Sequence, residues 1–136
     1  MTDFSEVFAS RVTLTRDEIE AIAPIEQYFL GHANDDADFM RKAFLPTAHI
    51  ESIRDGIFTS WSLDVYCQRF NNKPAVDEAN RIRMIDWVEV KGSAASARIS
   101  LVHGETIFTD YFLLLKISNE WKIANKVFFG ESLGIR

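Results

Sequence analysis

Apolar positions between residues 15 and 34 recur at steps of three and four, the spacing of one helical face: Ile19, Ile22, Ala23, Phe29, Leu30 and Ala33. Thr15 and Glu18 can cap each other's backbone amides as a capping box, with Leu14 and Ile19 at staple spacing across it. Pro24 lies inside this pattern and predicts a kink, or a break and restart; Gly31 and Asn34-Asp35 predict the end. A short helix follows over residues 36–43, capped by Asp35 and stopped by Pro46, with Phe39, Met40, Ala43 and Phe44 inward. Asp55-Gly56 joins two strand-like runs, 47–54 and 57–60, as a hairpin, because both turn residues tolerate positive φ. A third helix is predicted over residues 62–70, with Trp61 and Tyr66 at staple spacing, and residues 71–80, carrying Pro74, look least ordered. The last third alternates with a period of two, in strands over residues 81–91, 95–103, 106–117 and 121–129. Their short polar connections, Gly92-Ser93, Gly104-Glu105 and Asn119-Glu120, imply antiparallel neighbours.

These elements make one α+β domain over residues 15–131, with an arm at 1–14 and a tail at 132–136. The run Tyr111-Phe-Leu-Leu-Leu is apolar on both strand faces. Such a strand needs cover on both sides: helices on one, and on the other a second copy of the chain, a homodimer through the outer sheet face. Eleven Phe, three Trp and three Tyr are a heavy aromatic load, mostly for the core but also suited to lining a pocket for a flat or apolar ligand.

Charge narrows the partners. A formal net charge of −5 repels phosphate backbones and anionic lipid, so neither nucleic acid nor a membrane is expected as a partner. Cys67 is the sole cysteine, which excludes an intramolecular disulfide and fits a reducing cytoplasm. The N-terminal residues show no secretory pattern, and no apolar run is long enough to span a bilayer. His32, His49 and His103 are scattered without HExxH spacing, so no metal is expected. No Walker loop, GxGxxG or GxSxG occurs, which leaves nucleotide, dinucleotide and α/β-hydrolase chemistry without support and the cofactor expectation at none.

The order of elements, with the words Tyr28-Phe-Leu-Gly-His, Ala43-Phe-Leu-Pro-Thr-Ala, Gly92-Ser-Ala-Ala-Ser-Ala, Phe108-Thr-Asp-Tyr-Phe-Leu-Leu-Leu-Lys and Trp121-Lys-Ile-Ala-Asn-Lys-Val-Phe, resembles the nuclear transport factor 2-like (NTF2-like, SnoaL-like) superfamily. Within it the chain is most similar to the bacterial group named putative lumazine-binding proteins, over residues 15–131. The resemblance implies a cystatin-like cone: three N-terminal helices packed on a strongly curved antiparallel sheet of about six strands, a pocket inside, and often a dimer through the sheet. Its members include steroid isomerases, polyketide cyclases and scytalone dehydratase, and also modules without known chemistry. The steroid isomerases carry an oxyanion-donating tyrosine where Tyr28 stands, and a carboxylate base on the first strand where the same register puts Ser52. Glu51 is adjacent but faces the other way by alternation, and Asp110 is the nearest acidic residue to their second Asp.

Several residues are candidates for chemistry. Tyr28 can polarise a ligand carbonyl, or simply bond a backbone carbonyl. His103 ends an alternating strand and is either a pocket acid–base group or a solvated turn residue. Asp110, amid Phe108, Phe112 and Leu114, is either a carboxylate in apolar surroundings, where burial favours a raised pKa and acid–base work, or one bonded to Thr109, to a neighbouring strand's side chain or to an Arg. Asn125 follows Trp121 and Ile123 in alternation and is expected inside the cone, as in the final strand of scytalone dehydratase; Trp61, Tyr66 and Phe112 complete the expected ligand wall. Three functions follow: a pocket binding a small apolar or aromatic metabolite, a cofactor-free lyase or isomerase using Asp110 or His103 with Tyr28, or a dimeric interaction module. Catalysis predicts that Asp110→Asn removes turnover and leaves the thermal midpoint largely intact.

Overall fold

The computed structural model describes residues 14–133. The expected arm therefore lies outside the described residues except for Leu14. Helix α1 (Arg16–Asn34) opens on the Thr15–Glu18 capping box, with both reciprocal bonds made, at 3.1 and 2.8 Å. It passes through Pro24 without breaking and ends three residues beyond Gly31, with Asp35 in the left-handed region at φ 50°. An interior proline costs about 3 kcal/mol. Here its ring is buried along one stripe with Ala21, Ile25, Tyr28 and Gly31, and that packing holds the helix together. Gly31 lets Met40 of helix α2 (Ala37–Ala43) approach so closely that an added Cβ would lie 3.0 Å from its Cε.

The hairpin β1 (His49–Arg54) and β2 (Ile57–Ser62) turns at Asp55 and Gly56, both at positive φ. Helix α3 (Leu63–Cys67) is shorter than expected; the chain leaves it in turns whose amides bond back to Asp64, Tyr66 and Cys67. Within the expected loop, residues Glu78–Asn80 form one 3-10 turn. The meander consists of β3 (Ile82–Lys91), β4 (Ala94–His103), β5 (Thr106–Ile117) and β6 (Glu120–Ser132).

All six strands form one curved sheet in the order β2-β1-β6-β5-β4-β3. Pairing is antiparallel except where β1 runs parallel to β6, with Ile50 opposite Lys126 and Ser52 opposite Phe128. Two register shifts interrupt the ladders, at Asp86 in β3 and Ala124 in β6. A bulge adds local twist and bends the strand, so both serve the curvature. The helices pack on the concave face over a core of Ile25, Met40, Phe44, Ile50, Ile99, Phe112, Leu114 and Ile123. No described helix is long and apolar enough to cross a membrane.

On β5 the even residues Asp110, Phe112 and Leu114 face this core. The odd residues Tyr111, Leu113 and Leu115 face away and stand 44, 58 and 39% exposed, joined by Val127 and Phe129 of β6. The strand that read as apolar on both faces is covered by helices on one face only.

Candidate functional site

Between the helices and the inner face of the sheet lies a half-open cavity of about 190 Å³. Each element sends in particular side chains. Tyr28 and His32, four apart, share the inner face of α1. Leu101 and His103 come from β4, and Phe108 and Asp110 from β5. The extra residue Ala124 reverses the alternation of β6, so Lys126 and Phe128 point inward. Arg54 at the end of β1, Trp61 on β2, Tyr66 on α3 and Arg69 just after it close the mouth.

At the centre is a buried cluster built on the Tyr28 hydroxyl. It donates to Asp110 Oδ2 at 2.7 Å and accepts from Lys126 Nζ at 2.6 Å. His32 Nε2 lies 2.9 Å away and fills the remaining acceptor position as an N–H donor. Lys126 Nζ also sits 3.4 Å from Asp110 Oδ2 and over the rings of Tyr28 and Phe128, at 4.7 and 4.9 Å from their centroids. Tyr28, Asp110 and Lys126 are 0, 1 and 5% exposed, so this is an ion pair taken out of water with a phenol bridging it.

Burial, reinforced by the Asp110 charge, holds the Tyr28 phenol well above the usual tyrosine range. Burial also pulls the Lys126 ammonium below the lysine range, against the upward pull of Asp110. His32 lies well below the usual histidine range through burial first and the Lys126 charge second, which keeps it neutral. His103 is lowered by burial and by Arg81 and Arg83 behind it.

Two buried atoms of the lining have no hydrogen-bond partner: Asp110 Oδ1 and His103 Nε2. Native proteins leave few such atoms. The cavity lining thus brings an under-bonded carboxylate from β5 and an under-bonded imidazole from β4 together with the aromatic side chains of Trp61, Phe108 and Phe128. Gly130 shapes the Phe108 wall: it stands opposite Phe108 in the ladder, and an added Cβ would lie 2.9 Å from that ring.

Tyr28, His103, Asp110, Trp61 and Tyr66 are all brought to this cavity. Asn125 is not. The Ala124 bulge turns it outward, where its Oδ1 accepts the His49 amide at 3.1 Å and secures the start of β1. Phe112 is core beneath the cavity, edge-on to Tyr28 with ring centroids 4.9 Å apart. Asp110 is not a lone carboxylate among apolar groups; Lys126 neutralises it. Ser52 lies on the inner side of β1 and Glu51 does not share that face, as alternation requires. Sequence reasoning missed Lys126, His32, Arg54 and Arg69. The i,i+4 spacing from Tyr28 was a usable signal for His32; the bulge hid Lys126.

A larger open hollow of 950 Å³ lies between the start of α1 and the β5–β6 turn. Its walls carry mixed, mutually neutralising charges, with Lys116 Nζ 3.5 Å from Asp17 and 3.9 Å from Glu20. The smaller cavity holds the convergent polar groups and is the candidate site.

A family described as putative lumazine-binding matches residues 16–129. The chain belongs to that family. Among solved structures it is similar to an NTF2-like protein of unknown function from Shewanella baltica OS155, at 23% identity and TM-score 0.73, covering 96% of this chain and 98% of that one. It is similar to another from Methylobacillus flagellatus KT, at 27% identity and TM-score 0.74, covering 88 and 96%. A ketosteroid isomerase-like protein from Erwinia carotovora atroseptica SCRI1043 aligns at 12% identity and TM-score 0.66, covering 88 and 99%, which shows a shared fold and nothing more. No curated protein matches the chain.

Proposed function

We propose that the chain binds a small aromatic metabolite in the cone cavity and does not transform it. The observation that carries this is one cavity between aromatic walls whose lining includes two residues with an unpartnered buried polar atom, Asp110 Oδ1 and His103 Nε2. Fixed polar points among apolar surfaces are how small-molecule sites set orientation. Catalysis by a steroid-isomerase route finds less support. The Tyr28 proton is committed to Asp110, so the phenol has none left for a substrate oxyanion. The first-strand inner position holds Ser52, which cannot take a proton from carbon at neutral pH.

The test is native mass spectrometry of protein purified from cells, followed by thermal-shift screening of single-ring and two-ring aromatic metabolites, lumazine among them. Binding predicts a saturable rise in midpoint that Trp61→Ala weakens at least tenfold in affinity, with the compound recovered unchanged. Recovery of a product would replace binding by catalysis. Rises equal in wild type and Trp61→Ala would remove the cavity from the account.

A second reading concerns assembly. Tyr111, Val127 and Phe129, with Ile53 and Phe58 of the hairpin, line an apolar trough of 390 Å³ on the outer sheet face. We infer that a second copy of the chain covers it, as contiguous exposed apolar surface of this kind marks an interface. Leu113→Glu is expected to shift sedimentation from dimer to monomer; a wild-type monomer at all concentrations would refute it.

A further inference from the structure

The arginines separate into two groups. Among the described residues Arg16, Arg41, Arg81, Arg83 and Arg98 each hold a carboxylate, at distances from 2.6 to 3.3 Å. Arg54 and Arg69 pair with none, and both line the cavity mouth. Each lies instead over an aromatic ring: Arg69 over Trp61 at 4.5 Å from the centroid, and Arg54 over Phe128 at 5.9 Å. A guanidinium held over a ring by its positive charge can still turn N–H donors toward a planar anion.

The interior agrees in sign. Lys126 and Asp110 cancel, and His32 and His103 are held toward the neutral form, so the two arginines leave the lining cationic. A volume of 190 Å³ equals about six waters of bulk liquid, which suits one ring with a short substituent better than a larger guest. The aromatic walls ask for a flat body. Desolvating a doubly charged phosphate among such walls costs more than desolvating one carboxylate.

Resting on the reading of this cavity as a binding site, we propose that its ligand is a small planar organic carboxylate. Its carboxylate is held by Arg54 and Arg69 at the mouth, and its ring lies between Trp61 and Phe128. A hydroxyl or N–H at the far end of the ligand would meet Asp110 Oδ1.

The experiment is an amide-detected NMR titration with probes matched in shape: benzoate, benzamide, benzylamine and inorganic phosphate. Benzoate is expected to bind at least tenfold more tightly than benzamide, with shifts at Arg54, Arg69 and His103. Arg54→Gln and Arg69→Gln should erase that preference, bringing benzoate to the level of benzamide measured on the same variant; both side chains are exposed, so folding is not at stake. Equal binding of benzoate and benzamide, or preference for benzylamine, overturns the anion and leaves the binding site standing. Phosphate binding as tightly as benzoate overturns the planar-acid assignment. If no probe moves any cavity resonance, the binding site falls together with the anion.

Discussion

Consider removing one charge of the Asp110–Lys126 pair. Asp110→Asn keeps an acceptor for the Tyr28 hydroxyl but strands an ammonium that is 5% exposed; Lys126→Met keeps volume but strands the carboxylate. Breaking a buried pair costs about 3–5 kcal/mol. The stranded group can escape by changing protonation, which sets a ceiling. Neutralising an ordinary lysine costs at most about 4.6 kcal/mol at pH 7 and about 1.9 at pH 9. For an aspartate the ceiling is about 4.2 kcal/mol at pH 7 and about 1.5 at pH 5. At pH 7 each single variant should therefore lose about 3–4 kcal/mol, or about 12–16 °C in Tm for a domain of this size. The Asp110→Asn deficit should shrink as pH rises, and the Lys126→Met deficit should shrink as pH falls. The double variant leaves no stranded charge and should lie within about 1.5 kcal/mol of wild type. Urea unfolding of all four proteins at pH 5, 7 and 9 measures this cycle. Additive single deficits that stay flat with pH would refute a buried, mutually neutralising pair. The sequence alone suggested the opposite for Asp110→Asn, an intact midpoint, because Lys126 was not seen beside it.

Three further outcomes are expected. His32 is held neutral when folded, so the unfolded chain gains a proton below about pH 6.5 that the folded chain refuses; stability should fall with acidification by about 1.4 kcal/mol per pH unit until the folded value is reached. In His32→Gln that slope should flatten across pH 5–6.5, read by urea unfolding, and an unchanged slope would place the titration elsewhere. Asn125→Ala loses the bond to the His49 amide and should cost about 1 kcal/mol with no change in ligand affinity; weakened binding would put Asn125 inside the cone after all. Gly130→Val should displace the Phe108 ring and weaken binding more than it lowers Tm, and unaltered affinity would show that this wall is not used.

What could be read from the chain depended on whether a signal was local. The capping box, the Asp55-Gly56 turn and the alternation of β4 and β5 are local, and they located Tyr28, His103 and Asp110 as polar residues on apolar faces. The β6 reading failed after Ile123, because one inserted residue exchanges the two faces of a strand. That single shift moved Asn125 out and Lys126 in, and with it the charge state of the whole site. The parallel β1–β6 junction joins segments more than half the chain apart and leaves no pattern in either. Arg54 and Arg69 look like any surface arginines in sequence; only the folded chain shows that, among the described residues, they have no carboxylate of the kind their counterparts hold. Of the two outcomes expected at Pro24, a kink or a break and restart, the break does not occur, because burial along a long helix outweighs one missing amide donor.

The most direct measurement is a crystal structure of protein purified straight from cells, refined well enough to identify a single-ring molecule. A planar guest between Trp61 and Phe128, within about 2.7–3.2 Å of Asp110 Oδ1 or His103 Nε2, is the expected result. A closed cavity, with Trp61 and Arg69 folded inward and both of those atoms bonded to protein, would contradict the binding site at its foundation.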